Sequence, residues 1–563
     1  MPSSSLPSAK PTRLRFELGL LGVALLVPVL FVLHTREIWE DFFITYRFSE
    51  NLAEGRGLVF TAGERVHGFT SVLNTLLPAF FAWVTRAADF TTPLLLYRVV
   101  SLATLAFGLW AVVRATAATA GASLSQRLLV ALFPLVAVLE IKTTAFTMNG
   151  QEAGLMVGFF AILVVLCHQE WPRERIVPGG CCIAGLLYTR PDAFVYVGIV
   201  GLAALALAAG SRREMAASLA RSLALGILLF LPWVAFAQLY YGSFIPHTII
   251  AKKNTLSLVP SAPGFLAVLG HGAAERLCGA LAAIYDFQRD EPGAWPKWVH
   301  VLAMTLEGVA VTYWVLPRAD RLGRLASLSA ALVLGYLTYV GLVATCTPWY
   351  YPPLSFLSLL ALWRLVVTLP ALRPRAAGIA GSLVLAGTMF LLLGFVFFHS
   401  LRGLRVKQEV IDWGHRRPLG LWLKANVADQ ETVYLEPLGY IGYFSQRRMR
   451  DWPGLVSPEV VAARRKIGAV DSPWGVYLWR EVAEEIKPDW IVARPVEEAQ
   501  LRSSPYLREH YRFVRVFNVA EQIIAAGEFP GSFITYNDAV FLVFRKKPPG
   551  EPSPATGPVQ PPP

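Results

Sequence analysis

Long apolar runs recur along this chain, and a soluble core cannot absorb so many. They occupy residues 18–33, 94–113, 128–139, 153–167, 178–188, 193–209, 223–240, 298–316, 325–346, 354–369 and 377–398. Crossing a bilayer takes about 20 apolar residues, so the pattern reads as about eleven membrane spans. The composition agrees, because 55% of the 563 residues are hydrophobic and only 16% are charged. Such a balance is ordinary for a polytopic membrane protein and unusual for a soluble one.

The net charge of +12 does not point to nucleic acid. The Lys and Arg residues fall in short loops between apolar runs, as in cytoplasmic loops of membrane proteins. Residues 1–15 form a basic cytoplasmic tail with Lys10, Arg13 and Arg15. No small-residue cleavage site follows the first run, so it reads as a retained anchor rather than a signal peptide. Arg114 with Arg127, Arg173 with Arg175, and Arg212 with Arg213 mark further inner loops. Arg318 with Arg321, and Arg373 with Arg375, mark two more. The run at 69–84 breaks this alternation if it crosses. Laid on the outer surface as a juxtamembrane helix, it restores the alternation. The N-terminus is then inside and the C-terminus outside. The five cysteines show no metal-type spacing and read as small apolar fillers.

From about residue 400 the composition changes. Strand-like runs at 432–435, 490–493 and 540–544 and a helical pattern at 479–486 predict a small extracytoplasmic α/β domain over 400–547. Residues 548–563 are a Pro-rich tail with nothing to build a core, expected to be disordered. Residues 16–399 make the membrane domain, with a large first outer loop at 34–93.

That loop does not arise from the need to cross a bilayer. It reads EDFFITYRFSENLAEGRGLVFTAGERVHGFTS from Glu40. Glu40 and Asp41 lie where water meets lipid, and a partly apolar setting raises a carboxyl pKa, which suits a general base. The same two acids also suit the start of the helix that follows, where the dipole favours negative charge. Arg47, Glu64, Arg65 and His67 add charge to the loop, with Gly63 and Gly68 bracketing a turn. Glu152 opens a span from the outer side, and Arg190 and Asp192 flank Pro191 at an outer turn. The stretch YYGSFIPHTIIAKK at 240–253 presents His247, Lys252 and Lys253 outside, against the positive-inside trend. Cations there are what a lipid-phosphate leaving group needs, and snorkelling is the plain alternative. Trp349 and Tyr350 are belt aromatics or a sugar-stacking wall.

These residues together resemble the first periplasmic loop of GT-C glycosyltransferases, in the group around the mycobacterial terminal β-(1→2)-arabinofuranosyltransferase. Asp41, Ile44, Arg47, Asn51, Gly55, Gly57, Gly63, Glu64, Arg65, Gly68, Thr70 and Ser71 carry the resemblance. So do TRPD at 189–192, YGSFIPHTIIAK at 241–252 and GYIGYFSQRRMRDWPGLVSPEVVA at 439–462. The chain departs from the group in having Glu-Asp where Asp-Asp is usual, which favours Asp41 over Glu40 as the base. It also has His247 where Asn is common. The resemblance implies a GT-C fold in a bacterial inner membrane. It implies a polyprenyl-phosphate sugar donor, a cell-envelope glycan or glycolipid acceptor, and inverting transfer with Asp41 as base. Lys252, with Arg190 or Arg65, would offset the leaving phosphate. Some members use a divalent metal, which here would sit at Asp41 and Glu40. No P-loop and no dinucleotide-type glycine signature is present.

A transporter or lipid flippase is the competing reading. It calls for ionisable residues near the membrane midplane. Glu307, inside the run at 298–316, answers that description, with Arg364 nearer the inner end of its span. The chemistry-capable residues gather outside instead, which favours the transferase.

Overall fold

The computed structural model describes residues 11–117, 124–252, 262–284, 293–316, 319–343, 346–371, 374–467 and 478–548. Most of the two tails, at 1–10 and 549–563, lies outside the described residues, as does Lys253.

The first apolar run is helix α1, Pro11–Thr35. The loop behind it folds into α2, Glu40–Ala53, and α3, Val72–Thr85. A long helix α4, Thr91–Ala117, follows. Then come α5, Leu124–Ala131, α6, Phe133–Leu139, and α7, Ile141–Met148. Three shorter helices are α8, Ala153–His168, α9, Ile176–Thr189, and α10, Ala193–Ala206. The rest of the bundle comprises α11, Arg212–Tyr241, the short α12, His247–Ala251, and α13, Ala262–Gly279. It closes with α14, Lys297–Thr312, α15, Arg321–Val343, α16, Pro352–Thr368, and α17, Arg375–Val406.

Among the described residues seven helices are long and apolar enough to cross a membrane, or eight if one bent pair counts as a span. This is a multi-pass membrane protein. The other expected spans are present as helices, but they are short. At 1.5 Å per residue, α8, α9 and α10 reach roughly 21–24 Å, against a hydrocarbon core of about 30 Å. The expected span at 128–139 is the bent one: residues 126–139 and α7 meet at 66°. At the bend Glu140 caps α7, accepting from the backbone N–H of Lys142 (3.1 Å) and Thr143 (2.8 Å). Glu140 also pairs with the Lys142 ammonium at 2.7 Å, both side chains being buried. Charges inside a bundle persist only when paired in this way. Glu307 is likewise buried, and one of its carboxylate oxygens accepts from the Ser358 hydroxyl at 2.7 Å.

α17 does not stop at the end of its span. Helix continues without a break over residues 375–426, through a π-helical stretch, Lys407–Arg416, into α18, Arg417–Asn426. Beyond it lies a five-stranded sheet in the order β2-β1-β3-β5-β4. Its strands are β1 (Thr432–Leu435), β2 (Arg448–Asp451), β3 (Trp490–Ala493), β4 (Tyr511–Asn518) and β5 (Val540–Lys546). β1 pairs in parallel with β2 and β3, while β5 runs antiparallel to β3 and β4.

Helix α19, Leu438–Ser445, joins this sheet to the loop. It lies on α2, where Phe43 meets Tyr440 at 4.5 Å and Tyr443 at 4.9 Å between ring centres. Burying each such ring contributes about 1.5–3 kcal/mol. Polar contacts fix the register. The Tyr440 hydroxyl donates to the Ile38 carbonyl at 3.0 Å, and the Tyr443 hydroxyl donates to Glu50 at 2.9 Å. Arg450 holds both oxygens of Glu64 at 3.1 Å in a bidentate pair. A Cβ on Gly439 would overlap the backbone oxygen of Glu40. Gly439→Ala is therefore expected to cost about 1–3 kcal/mol by overpacking. A lowered melting temperature and easier proteolysis between α19 and the loop would show it; an unchanged melting curve would contradict this packing.

Candidate active site

α2 starts at Glu40, so Glu40 and Asp41 stand in its first turn. Neither caps the helix with its side chain, and the residue before them, Trp39, has no side-chain cap bond. The two acids are treated very differently. Glu40 is used up: one oxygen pairs with Arg416 at 2.9 Å, and the other accepts the Gly439 N–H at 3.2 Å. Burial pushes the Glu40 carboxyl up to about 7, although Arg416 pulls it down. Asp41, among the described residues, has no side-chain hydrogen bond or ion pair, and it faces a cavity.

That cavity is about 730 Å³. Trp39, Asp41 and Trp349 line it together with Lys407, which lies over the Trp39 ring at 5.2 Å, and with Arg416, Arg494 and Asp538. The charges of these last four residues are paired. Lys407 pairs with Asp412 at 2.8 Å, and Arg416 with Asp412 at 2.8 Å and with Asp538. Arg494 pairs with Asp538 at 2.5 Å and with Glu436. Burial raises the Asp538 carboxyl, but Arg416 and Arg494 together hold it well below the usual carboxylate range. The π-helical stretch sets this arrangement, because spacings of four and five residues put Lys407, Ile411 and Arg416 on one side.

Trp349 is shared with a second, smaller cavity of about 230 Å³, lined by Glu152, Arg190, Tyr196 and Tyr350. Arg190 is committed there: it pairs with Glu152 at 3.0 Å and Asp192 at 2.8 Å, and its guanidinium lies 4.3 Å from the Tyr350 ring centre. Glu152 thus has a specific partner besides the start of α8. Lys252 differs. Its ammonium lies 5.6 Å from the Trp349 ring centre, and among the described residues it has no ion pair. Burial lowers the Lys252 pKa, and Asp41 is the charge that most holds it up. Burial likewise raises the Asp41 carboxyl, and Lys252 is the charge that most pulls it back. One free carboxylate and one free ammonium thus share a partly dry site walled by Trp349.

The remaining residues that the sequence singled out lie apart from these cavities. Arg47 is buried and donates to the Phe60 carbonyl at 3.2 Å, holding the loop together. Glu64 is held by Arg450. Arg65 is exposed and lies over the Tyr240 ring at 4.7 Å. His67 is buried and stacks on Tyr241 at 4.9 Å, and burial lowers its pKa to about 4. The His247 N–H donates to the His67 carbonyl at 2.7 Å, which ties α12 to the loop. Gly57 takes φ +93°, and a Cβ there would lie 2.6 Å from the Tyr240 hydroxyl, so the turn needs glycine. Among the described residues no group of three or more His, Cys, Asp or Glu side chains is placed to hold a metal ion.

The model of a domain of unknown function (DUF8728) matches residues 406–541, the part that begins in the π-helical stretch. No curated protein matches the sequence. Among solved structures, the chain is similar to the Archaeoglobus fulgidus oligosaccharyltransferase tethered with an acceptor peptide. The TM-score is 0.54 at 11% identity, over 89% of this chain and 72% of that one. It is also similar to ArnT from Cupriavidus metallidurans bound to undecaprenyl phosphate. There the TM-score is 0.50 at 12% identity, over 94% of this chain and 97% of that one. At such identities the likeness is one of fold.

Proposed function

We propose, from the GT-C fold this chain shares with those structures, that it is a membrane glycosyltransferase using a polyprenyl-phosphate sugar. The observation that carries the reading is that Asp41, lining the cavity beside Trp349, and Lys252, over the Trp349 ring, each lack an ion pair among the described residues and feel each other's charge. Asp41 takes the proton from the acceptor hydroxyl as that oxygen attacks the anomeric carbon. The bond from the anomeric carbon to the phosphate oxygen breaks on the opposite face, and the sugar inverts. Polyprenyl phosphate departs with the electron pair, its charge met by Lys252. Arg190 already has two carboxylates, so it shapes the site rather than neutralising the phosphate. The loop and the C-terminal domain would then face the extracytoplasmic side, where the acceptor is a cell-envelope glycan or glycolipid. The undecaprenyl phosphate bound to ArnT supports this donor class.

Lys252→Met tests the reading. An ion-assisted hydrogen bond contributes about 1.5–3 kcal/mol, so affinity for undecaprenyl phosphate should fall roughly ten- to hundredfold. Equal binding by the variant and the wild type would remove Lys252 from the phosphate site.

The pH profile gives a second check. A general base must be ionised, so kcat/KM falls as pH drops through the Asp41 pKa. Burial raises that pKa, so the acid limb should lie above the ordinary carboxylate value of about 4. Lys252 lowers it, so Lys252→Met should move the limb to still higher pH. A limb that stays in place in the variant would mean that the two groups do not interact.

A further inference from the structure

Another cavity, larger than the one at Asp41, lies away from it. It is a groove of about 850 Å³ between the far end of α2, the start of α4, α18 and α19. Glu50, near the end of α2, lies nine residues from Asp41, about 14 Å along the helix. The two cavities share no lining residue, and the groove is edged by an aromatic cluster in which Phe43 packs on Tyr440 and Phe444 and Trp413 packs on Phe444. Asp41 does not line the groove, yet both cavities are lined from α2 and from the helix over 407–426.

The lining defines the ligand. Trp413, Tyr443 and Phe444 supply rings, with the Arg417 guanidinium 4.8 Å from the Trp413 ring centre and 5.4 Å from that of Phe444. Arg417 and Lys424 have no ion pair among the described residues. Glu50 and Asp89 bring two carboxylates to the same groove, so its formal charges cancel. A phosphate or polyanion gains nothing from a wall with no net charge. Donors and acceptors of both signs beside flat rings suit a neutral, polyhydroxylated ligand.

We propose that this groove binds a neutral glycan, the body of an acceptor chain whose growing end reaches Asp41. Only the word acceptor rests on the transferase reading; the binding does not. The test keeps the two apart. Full-length Asp41→Asn protein in detergent is titrated by calorimetry with neutral pentose and hexose oligosaccharides of two to six residues. Gln446, just after α19, also lines the groove, and the same titration is made on Asp41→Asn carrying Arg417→Ala and Gln446→Ala. These two side chains are only partly buried, and an unchanged melting curve confirms the fold. Binding is expected in the first protein and at least about tenfold weaker in the second, two lost hydrogen bonds amounting to that much. Three results overturn the proposal: no oligosaccharide binds, the two proteins bind equally, or inorganic phosphate or phosphatidylglycerol vesicles bind in place of the sugars. A chain that binds sugars here and transfers none would leave the groove standing and remove the catalytic reading.

Discussion

Asp41→Asn is expected to lower kcat for sugar transfer by about 10²–10⁴-fold, the usual contribution of a positioned general base. The amide keeps the shape of the side chain and removes its ability to take a proton. Asp41 has no ion pair among the described residues, so little stability should be lost with it. Donor binding should change little, or improve slightly, because the Lys252 ammonium loses its nearest carboxylate. The combination of a large loss in kcat, an intact melting curve and preserved affinity for undecaprenyl phosphate is the signature to look for. The adjacent Glu40→Gln should behave the opposite way. Glu40 holds Arg416 and Gly439, so its loss should loosen the docking of α19 on α2 and lower stability before it lowers turnover. If Asp41→Asn turns over like the wild type while Glu40→Gln is dead and fully folded, the two roles are reversed.

The second large effect is expected at Arg416. This guanidinium bridges Glu40, Asp412 and Asp538; Arg416, Asp412 and Asp538 are buried, and Glu40 is partly exposed. Removing one partner of a buried ion pair leaves an uncompensated charge and typically costs about 3–5 kcal/mol. Arg416→Met should cost about that much, since Glu40 loses its cation while Asp412 keeps Lys407 and Asp538 keeps Arg494. Calorimetry or thermal melting of the purified protein measures it. The pH dependence supplies a control. Arg416 and Arg494 hold Asp538 below its unfolded value, so Asp538 contributes stability above pH about 4 that is lost as pH falls. In Arg416→Met part of that acid loss should vanish, because the carboxyl is no longer held down. A variant as stable as the wild type, with the same acid sensitivity, would mean that the network does not clamp the domain to the loop.

The fold was legible wherever periodicity or apolar length decides it. The runs at 18–33, 94–113, 223–240, 354–369 and 377–398 are long helices, as expected, and so is the run from 325 as far as Val343. The run at 69–84 is a helix of fourteen residues beginning at Val72, because Ser71 accepts from the Asn74 N–H and caps it. β1 and β3 begin and end where the apolar runs do. Two strands left no such trace. β2 reads Arg-Met-Arg-Asp and is held by parallel pairing with β1. β4 is an edge strand whose pairing with β5 is interrupted by a register shift between Phe513 and Arg515.

The site was legible in half. Asp41, Lys252 and Trp349 stood out because each was odd for its place: an acid at a membrane edge, a lysine against the basic-loop trend, an aromatic cluster before a proline. Lys407, Arg416, Arg494 and Asp538 carried no such mark. They sit more than 350 residues after Asp41 and look like ordinary surface charge until the domain folds back. The continuation of α17 carries Lys407 and Arg416 to the cavity, and the sheet carries Arg494 and Asp538 there. For the same reason the pairing of Glu40 with Arg416 left no mark in the local sequence.

The central claim is that sugar passes from a polyprenyl phosphate to an acceptor hydroxyl at Asp41. Purified wild type in detergent with undecaprenyl phosphate carrying a radiolabelled sugar, and with a cell-envelope glycan acceptor, tests it directly. A panel of sugars covers donor identity, and the matching nucleotide sugars serve as competitors. Labelled acceptor is expected from one polyprenyl-phosphate donor, with inverted anomeric configuration and none from any nucleotide sugar. No labelled product from any lipid-linked donor, or product from a nucleotide sugar instead, would contradict the account.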